Sequence, residues 1–202
     1  MPVHDWSRVD ANLFHDFHQA WSIGIRNALN GRLLPKGYSA LVEQHEVSAA
    51  RANRIAIRHP LGEVVSVIKI VSPGNKSSRR ALRAFVDKTV GFLQQGVHVL
   101  VVDLFPPSAR DPDGIHKAIW DEFQDEPFRL PNETPLTLAA YVAAFPMTAY
   151  VELVAVGERL PDMPAYLDED RYVQVPLEAT YQSTWATCPE DMRAVIEGQR
   201  FE

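Results

Sequence analysis

Residues 64–105, VVSVIKIVSPGNKSSRRALRAFVDKTVGFLQQGVHVLVVDLF, hold two nearly continuous apolar runs on either side of an amphipathic stretch. An unbroken apolar run of this length is the pattern of a strand covered on both faces. The first run predicts a strand over 63–71 and the second a strand over 97–105. Between them Ser72-Pro-Gly-Asn-Lys76 breaks the strand, and Ser77 or Ser78 can cap a helix. The core face of that helix is Leu82, Phe85, Val86, Val90 and Leu93, and it ends at Gly96. A strand, a helix of about five turns and a strand make a crossover. The two strands are therefore expected to lie parallel with a right-handed connection.

Working outward, Leu13, Phe17, Ala20, Trp21, Gly24, Ile25, Ala28 and Leu29 recur at helical spacing before the stop Asn30-Gly31. The segments 38–44 and 54–58 have strand character, and His59-Pro-Leu-Gly62 is a reverse turn into the strand at 63–71. The expected core is thus an α/β mixed sheet in the order helix, three meander strands, helix, strand. Downstream, 115–123 reads as a short helix, 136–143 and 148–156 as added strands, and 177–198 as containing a terminal helix. The turn Pro161-Asp-Met-Pro164 and the segment YVQVPL from Tyr172 read as an excursion packed on the same core. One domain over 1–202 is expected, with a core of about 12–105 and an extension of about 106–202 packed on it.

The chain of 202 residues carries a formal charge of −6, which argues against a generally basic, DNA-coating surface and leaves room only for a local basic patch. Its one cysteine, Cys188, excludes an internal disulfide and a cysteine-based zinc cluster, and suits a reducing compartment. The N-terminus MPVHDWSRVD is polar, and no run approaches ~18 apolar residues, so a cytoplasmic protein without membrane association is expected. No internal repeat, Gly-rich phosphate loop, nucleophile elbow or HExxH pattern occurs.

Lys69 is the anomaly, because side chains alternate along a strand and it shares a face with Val65, Val67 and Val71. Ligands in open α/β sheets gather beyond the C-terminal strand ends. At that mouth Lys69, Ser72, Asn75, Lys76 and Asp103 are expected to approach one another, with Glu43 and Glu46 of the first strand facing them. In the alternative, Lys69 and Asp103 form an internal salt bridge and SPGNK is a turn with a helix cap. A second candidate is the basic set Lys76, Arg79, Arg80 and Arg83, together with Ser72 and Asn75. Cations at a helix start oppose its dipole, which hints at a bound phosphate; the competing reading is a solvated face.

The third candidate is His4-Asp5 with His15-Asp16-Phe17-His18, where two histidines three apart share a helix face. With no third ligand assured, a hydrogen-bond network at a helix capped by Asp10 or Asn12 is the preferred role. Trp6, Trp21, Trp120 and Trp185 read as core or interface aromatics. Cys188 precedes Pro189 without an evident histidine partner and does not read as a nucleophile.

The segments HDW at His4, FHDFH at Phe14, VSPGNK at Val71, GVHVLVVDLFPP at Gly96 and IHKAIWDEF at Ile115 resemble a bacterial family, domain of unknown function four-zero-five-eight. LPDMP at Leu160 and VPLEATYQSTW at Val175 belong to the same pattern, so the resemblance spans almost the whole chain. Its core order is similar to that of the PD-(D/E)XK, restriction-endonuclease-like fold, in which strands of a meander deliver acidic metal ligands and a lysine. Such a site needs hard oxygen ligands for Mg²⁺ and a lysine near the attacking water. The resemblance therefore implies either a Mg²⁺-dependent nuclease using Glu43 or Glu46, Asp103 and Lys76, or a catalytically degenerate relative binding nucleic acid or another phosphate-bearing ligand. A scaffold or regulatory protein acting through a protein partner is the third expectation.

Two departures from the family pattern bear on that choice. The related sequences are expected to read VIEIVSPGNK, with glutamate where this chain has Lys69, and an ammonium cannot ligate Mg²⁺. They also carry a longer segment between the first two strands, where this chain passes directly through His45-Glu-Val-Ser-Ala-Ala50. The degenerate reading is preferred, with no cofactor.

Overall fold

The computed structural model describes residues 3–47 and 50–198, with the side chains of 44–47 and 50–53 left aside. A short 3-10 turn at Trp6–Arg8 leads into α1 (Ala11–Ala28), which continues as a π turn at Leu29–Leu33. Asp10 caps α1 by accepting from the Asn12 amide at 2.8 Å, one of the two caps expected. Strands β1 (Ser39–Val47), β2 (Ala50–Arg58) and β3 (Val64–Ile70) form the meander. The chain then makes one turn of helix, α2 (Pro73–Lys76), before α3 (Arg79–Gln94) and β4 (His98–Asp103). The short connection between β1 and β2, where the related sequences are expected to be longer, includes residues 48–49, which lie outside the described residues.

Ser78, rather than Ser77, caps α3, accepting from the Ala81 amide at 3.1 Å. Gly96 stops it with a φ of 77°, a left-handed conformation that a side chain would resist. β3 and β4 pair in parallel, with Lys69 level with Val101, as the crossover requires. Beyond them come α4 (Gly114–Trp120), β5 (Leu136–Val142) and β6 (Thr148–Val154), then the hairpin β7 (Met163–Tyr166) and β8 (Tyr172–Val175). The terminal helix is broken by Cys188-Pro189 into α5 (Leu177–Thr187) and α6 (Glu190–Ile196), since proline cannot donate into a helix interior.

The six long strands form one mixed sheet in sequence order, antiparallel except for β3 and β4. The fold class is α/β, as the periodicities predict. Each sheet face buries a different core. On one face, Trp21, Ile25, Ile57, Ile68, Leu100 and Leu138 pack with Tyr181 and the β7–β8 hairpin. On the other, Leu82, Phe85, Val86 and Leu93 of α3 and Ile115 and Ile119 of α4 cover Val71, Val99, Val101 and Ala139. Double coverage is why β3 and β4 are apolar without alternation.

Candidate functional site

The carboxyl end of the parallel pair is closed by Lys76. The β3 chain leaves the sheet after Val71, whose amide still donates to the Val102 carbonyl at 2.8 Å. Ser72 and Asn75 then fold the chain back, the Ser72 amide and hydroxyl each donating to Asn75 Oδ1 at 2.9 Å. That single turn aims the Lys76 side chain inward, where it is only 7% exposed. Its ammonium lies 2.6 Å from Asp103 Oδ2 and 2.8 Å from Asp111 Oδ2, and donates to the Phe105 carbonyl at 3.1 Å.

Both carboxylates are fixed from behind. Asp103 Oδ1 accepts from the Phe105 amide at 3.1 Å, and Asp111 Oδ1 accepts from the Ser108 amide at 3.0 Å and from the Ser108 hydroxyl. Arg110 closes the loop over the lysine by donating to the Lys76 carbonyl at 3.2 Å. Asp103 and Asp111 are 1% and 2% exposed, so the cluster is one cation and two anions taken out of water. Burial pushes the Asp103 carboxyl up to about 6, against the pull of Lys76 and the Phe105 amide. Burial alone would lower Lys76, but the two carboxylates outweigh it and its pKa is raised.

Lys69 does not join this cluster, contrary to the expectation that it meets Asp103. Its register partner in β4 is Val101, and its side chain rises into α3. There the amine donates to Thr89 Oγ1 at 2.5 Å and to the Phe85 carbonyl at 3.3 Å, and stands 3.8 Å from the centre of the Phe85 ring. The Thr89 hydroxyl gives its own proton to the Phe85 carbonyl at 2.8 Å, leaving its lone pairs for Lys69. Burial, with Lys88 and Arg54 nearby, lowers the Lys69 pKa to about 7.

Glu43 faces neither lysine. Arg54 donates to Glu43 Oε2 at 2.7 and 3.0 Å, and Arg58 donates to Oε1 at 2.5 Å. Burial opposes ionisation of Glu43, but the two guanidinium groups win and its pKa is lowered. The side chain of Glu46 lies outside those described. The basic set divides: Arg83 is paired with Asp87 and, at 2.6 Å, with Glu122, whereas Arg79 and Arg80 are exposed and carry no ion pair among the described residues. Arg79 and Arg110 line a groove of about 340 Å³ with Leu82, Val86, Ala109 and Ala118.

The histidines do not converge. His15 is exposed and contacts Gln19, while His18 is buried and stacked on Phe14, its Nε2 without a hydrogen-bond partner among the described residues and its pKa lowered to about 4 by burial. His4 instead meets Tyr181. Among the described residues no three His, Cys, Asp or Glu side chains come together as metal ligands. The residues present do not fit a Mg²⁺ site of the implied kind: two carboxylates hold an ammonium and the third holds two guanidinium groups.

Asp111 and Thr89 are the partners that sequence reasoning missed. Asp111 sits in a turn 35 residues beyond Lys76 and gives no periodic signal. Thr89 had a signal, because it is a hydroxyl residue on the buried stripe of α3 between Phe85 and Leu93. Comparison with family profiles, curated proteins and solved structures finds no match for this chain. Among the described residues no helix is long and apolar enough to cross a membrane.

Proposed function

We propose that this chain is a catalytically degenerate relative of the nuclease-like α/β fold that binds a phosphate-bearing ligand or nucleic acid without cleaving it. One observation carries the reading. The Lys76 ammonium lies 2.6 and 2.8 Å from two carboxylates at the carboxyl end of the parallel strands, and so supplies the positive charge that a divalent cation would otherwise bring. Lys69, at the position where the bacterial family is expected to carry glutamate, replaces an acidic ligand by an amine that turns to Thr89 and Phe85 of α3. Binding falls to the unpaired Arg79 and Arg80 at the start of α3, beside Arg110 in the neighbouring groove.

The test uses the full chain and its Lys69→Glu variant with single- and double-stranded DNA and RNA, in Mg²⁺ or Mn²⁺. Fluorescence anisotropy reports binding and gel electrophoresis reports cleavage. Salt-sensitive binding by the natural chain without cleavage supports the reading, and cleavage confined to the variant supports the degenerate relationship. Cleavage by the natural chain overturns the loss of catalysis. No binding to any of the four nucleic acids or to inorganic phosphate overturns the ligand assignment.

A further inference from the structure

The sheet row that carries Lys69 has more cations than anions. Antiparallel pairing sets Glu43 opposite Arg54 and Ile55 opposite Ile68, so one step beyond Ile55 and Ile68 the same register brings Arg54 opposite Lys69. Like charges facing each other across a pair of strands are destabilising. Glu43 is the acid of that row, and it is shared between Arg54 and Arg58. Val101 of β4 completes the row. From α3, Lys88 comes close enough for its charge to act on Lys69 and has no ion pair among the described residues, while Asp87 is exposed and paired with Arg83. The Arg54 guanidinium is 4.8 Å from the centre of the Phe92 ring of the same helix. Among the described residues one carboxylate therefore serves Arg54, Arg58, Lys69 and Lys88.

The Lys69 amine itself is arranged as a nucleophile. Burial and the neighbouring cations leave it unprotonated above about pH 7, and a neutral amine has two N–H groups and one lone pair. The two N–H groups have acceptors, Thr89 Oγ1 at 2.5 Å and the Phe85 carbonyl at 3.3 Å. The lone pair meets no donor among the described residues, because the Thr89 hydroxyl gives its proton to the Phe85 carbonyl. Lys69 is only 8% exposed, which bars an ion that would have to shed its water but admits a small, uncharged, apolar electrophile. Carbon dioxide is such a reagent.

We propose that Lys69 takes up carbon dioxide as a carbamate whose carboxylate pairs with Arg54 and Lys88. The nitrogen lone pair forms the N–C bond, one C=O π bond of carbon dioxide opens to give the carboxylate oxygen, and one amine proton leaves to solvent. The N–H that remains still serves Thr89. The row gains the negative charge it lacks, in charge-assisted contacts to a guanidinium and an ammonium. None of the groups of the arginine edge takes part, so this modification does not depend on whether that edge binds phosphate.

The full chain is equilibrated with ¹³C-labelled bicarbonate and carbon dioxide in a closed vessel at about pH 7.5, where ordinary lysines stay protonated. Carbon NMR reads the carbamate carbonyl, and trapping with triethyloxonium followed by peptide mass spectrometry locates it. The expected result is one trapped adduct among the lysines, on Lys69, with its carbonyl signal lost in Lys69→Met. Lys88→Gln should need about tenfold more carbon dioxide for the same occupancy, the effect of losing one contact to a charged group. No adduct on Lys69, an equal adduct on Lys36 or Lys117, or unchanged occupancy in Lys88→Gln overturns the proposal. A signal that sulfate displaces and triethyloxonium does not trap identifies bicarbonate held as an ion among the cations, and overturns the carbamate as well.

Discussion

Lys76 Nζ stands 2.6 Å from Asp103 Oδ2 and so ties the single helical turn after β3 to the last residue of β4. Replacing the lysine by methionine leaves Asp103 and Asp111 facing each other without a cation. Removing one partner of a buried pair costs about 3–5 kcal/mol, and urea denaturation followed by tryptophan fluorescence measures it. If Lys76 stands in for a metal ion, millimolar Mg²⁺ should recover part of the loss in Lys76→Ala and leave the natural chain unchanged.

Asp103→Asn is expected to be far milder. Asp111 still neutralises Lys76, and the single carbonyl of the substituted amide can accept from either the Phe105 amide or Lys76, so one of the two contacts of Asp103 is lost. The folded Asp103 pKa of about 6 lies above the ordinary 3.8, so between those values the folded state holds a proton that the unfolded state has lost. Stability from this group is present at low pH and falls as pH rises from about 4 to about 6. Asparagine has no such dependence. The stability of the variant relative to the natural chain should therefore improve across that window, measured by urea midpoints at pH 4, 5, 6 and 7.

The sign is different for Lys69. Its folded pKa is about 7 against an ordinary 10.5, so between these values the unfolded chain holds a proton that the folded chain does not. Stability rises with pH through that window, and the full burial penalty is present below it. A difference of this size amounts to at most about 5 kcal/mol. Lys69→Met should stabilise the protein at pH 6 by a few kcal/mol, with the advantage shrinking towards pH 10. Thr89 loses no acceptor, because its hydroxyl already donates to Phe85. A variant less stable at pH 6 would contradict this account.

The two lysines explain how much of the molecule was legible. The pattern of the apolar residues predicted α1, α3 and the strands of the sheet, because the helices bury a stripe and β3 and β4 are continuous runs covered on both faces. The partner of Lys69 was misread because register and direction are separate matters: the parallel pairing sets Lys69 beside Val101, and the side chain then turns to α3 instead of advancing to Asp103. The turn α2 was hidden because Ser-Pro-Gly-Asn reads equally as a loop, although proline is acceptable in a first helical turn. The four-residue strands β7 and β8, one with a proline inside and one followed by a proline, are too short for a period to show.

On the proposed binding edge, Arg79→Glu/Arg80→Glu should weaken nucleic-acid binding and reduce the slope of log affinity against log salt by about 1 for each phosphate no longer neutralised. Arg83→Ala should do much less, since its guanidinium is already shared between Asp87 and Glu122. Anisotropy titrations from 50 to 200 mM salt, on the order of the range in which counterion release is read, separate the two variants.

The N-terminal segment is tied by Val3 to the backbone of Gly157 and Glu158, and beyond Val3 one hydroxyl gathers it. Tyr181 OH, fully buried on α5, accepts from Trp6 Nε1 at 3.1 Å and from the His4 amide at 3.3 Å, and bonds His4 Nδ1 at 2.7 Å. A tyrosine hydroxyl has one proton to give. With two donors already directed at the oxygen, that proton goes to His4 Nδ1, which agrees with the lowered His4 pKa and the neutral ring it implies. The same ring stacks on Trp185 at 3.8 Å between centroids. Tyr181→Phe keeps the packing and leaves the Trp6 indole N–H, the His4 amide and His4 Nδ1 without a partner. The expected cost is about 2–3 kcal/mol, the penalty for buried polar groups left unsatisfied. Faster amide hydrogen exchange should be confined to residues 3–9 and α5, and exchange that rises equally in β3 and β4 would show that the hydroxyl does not act locally.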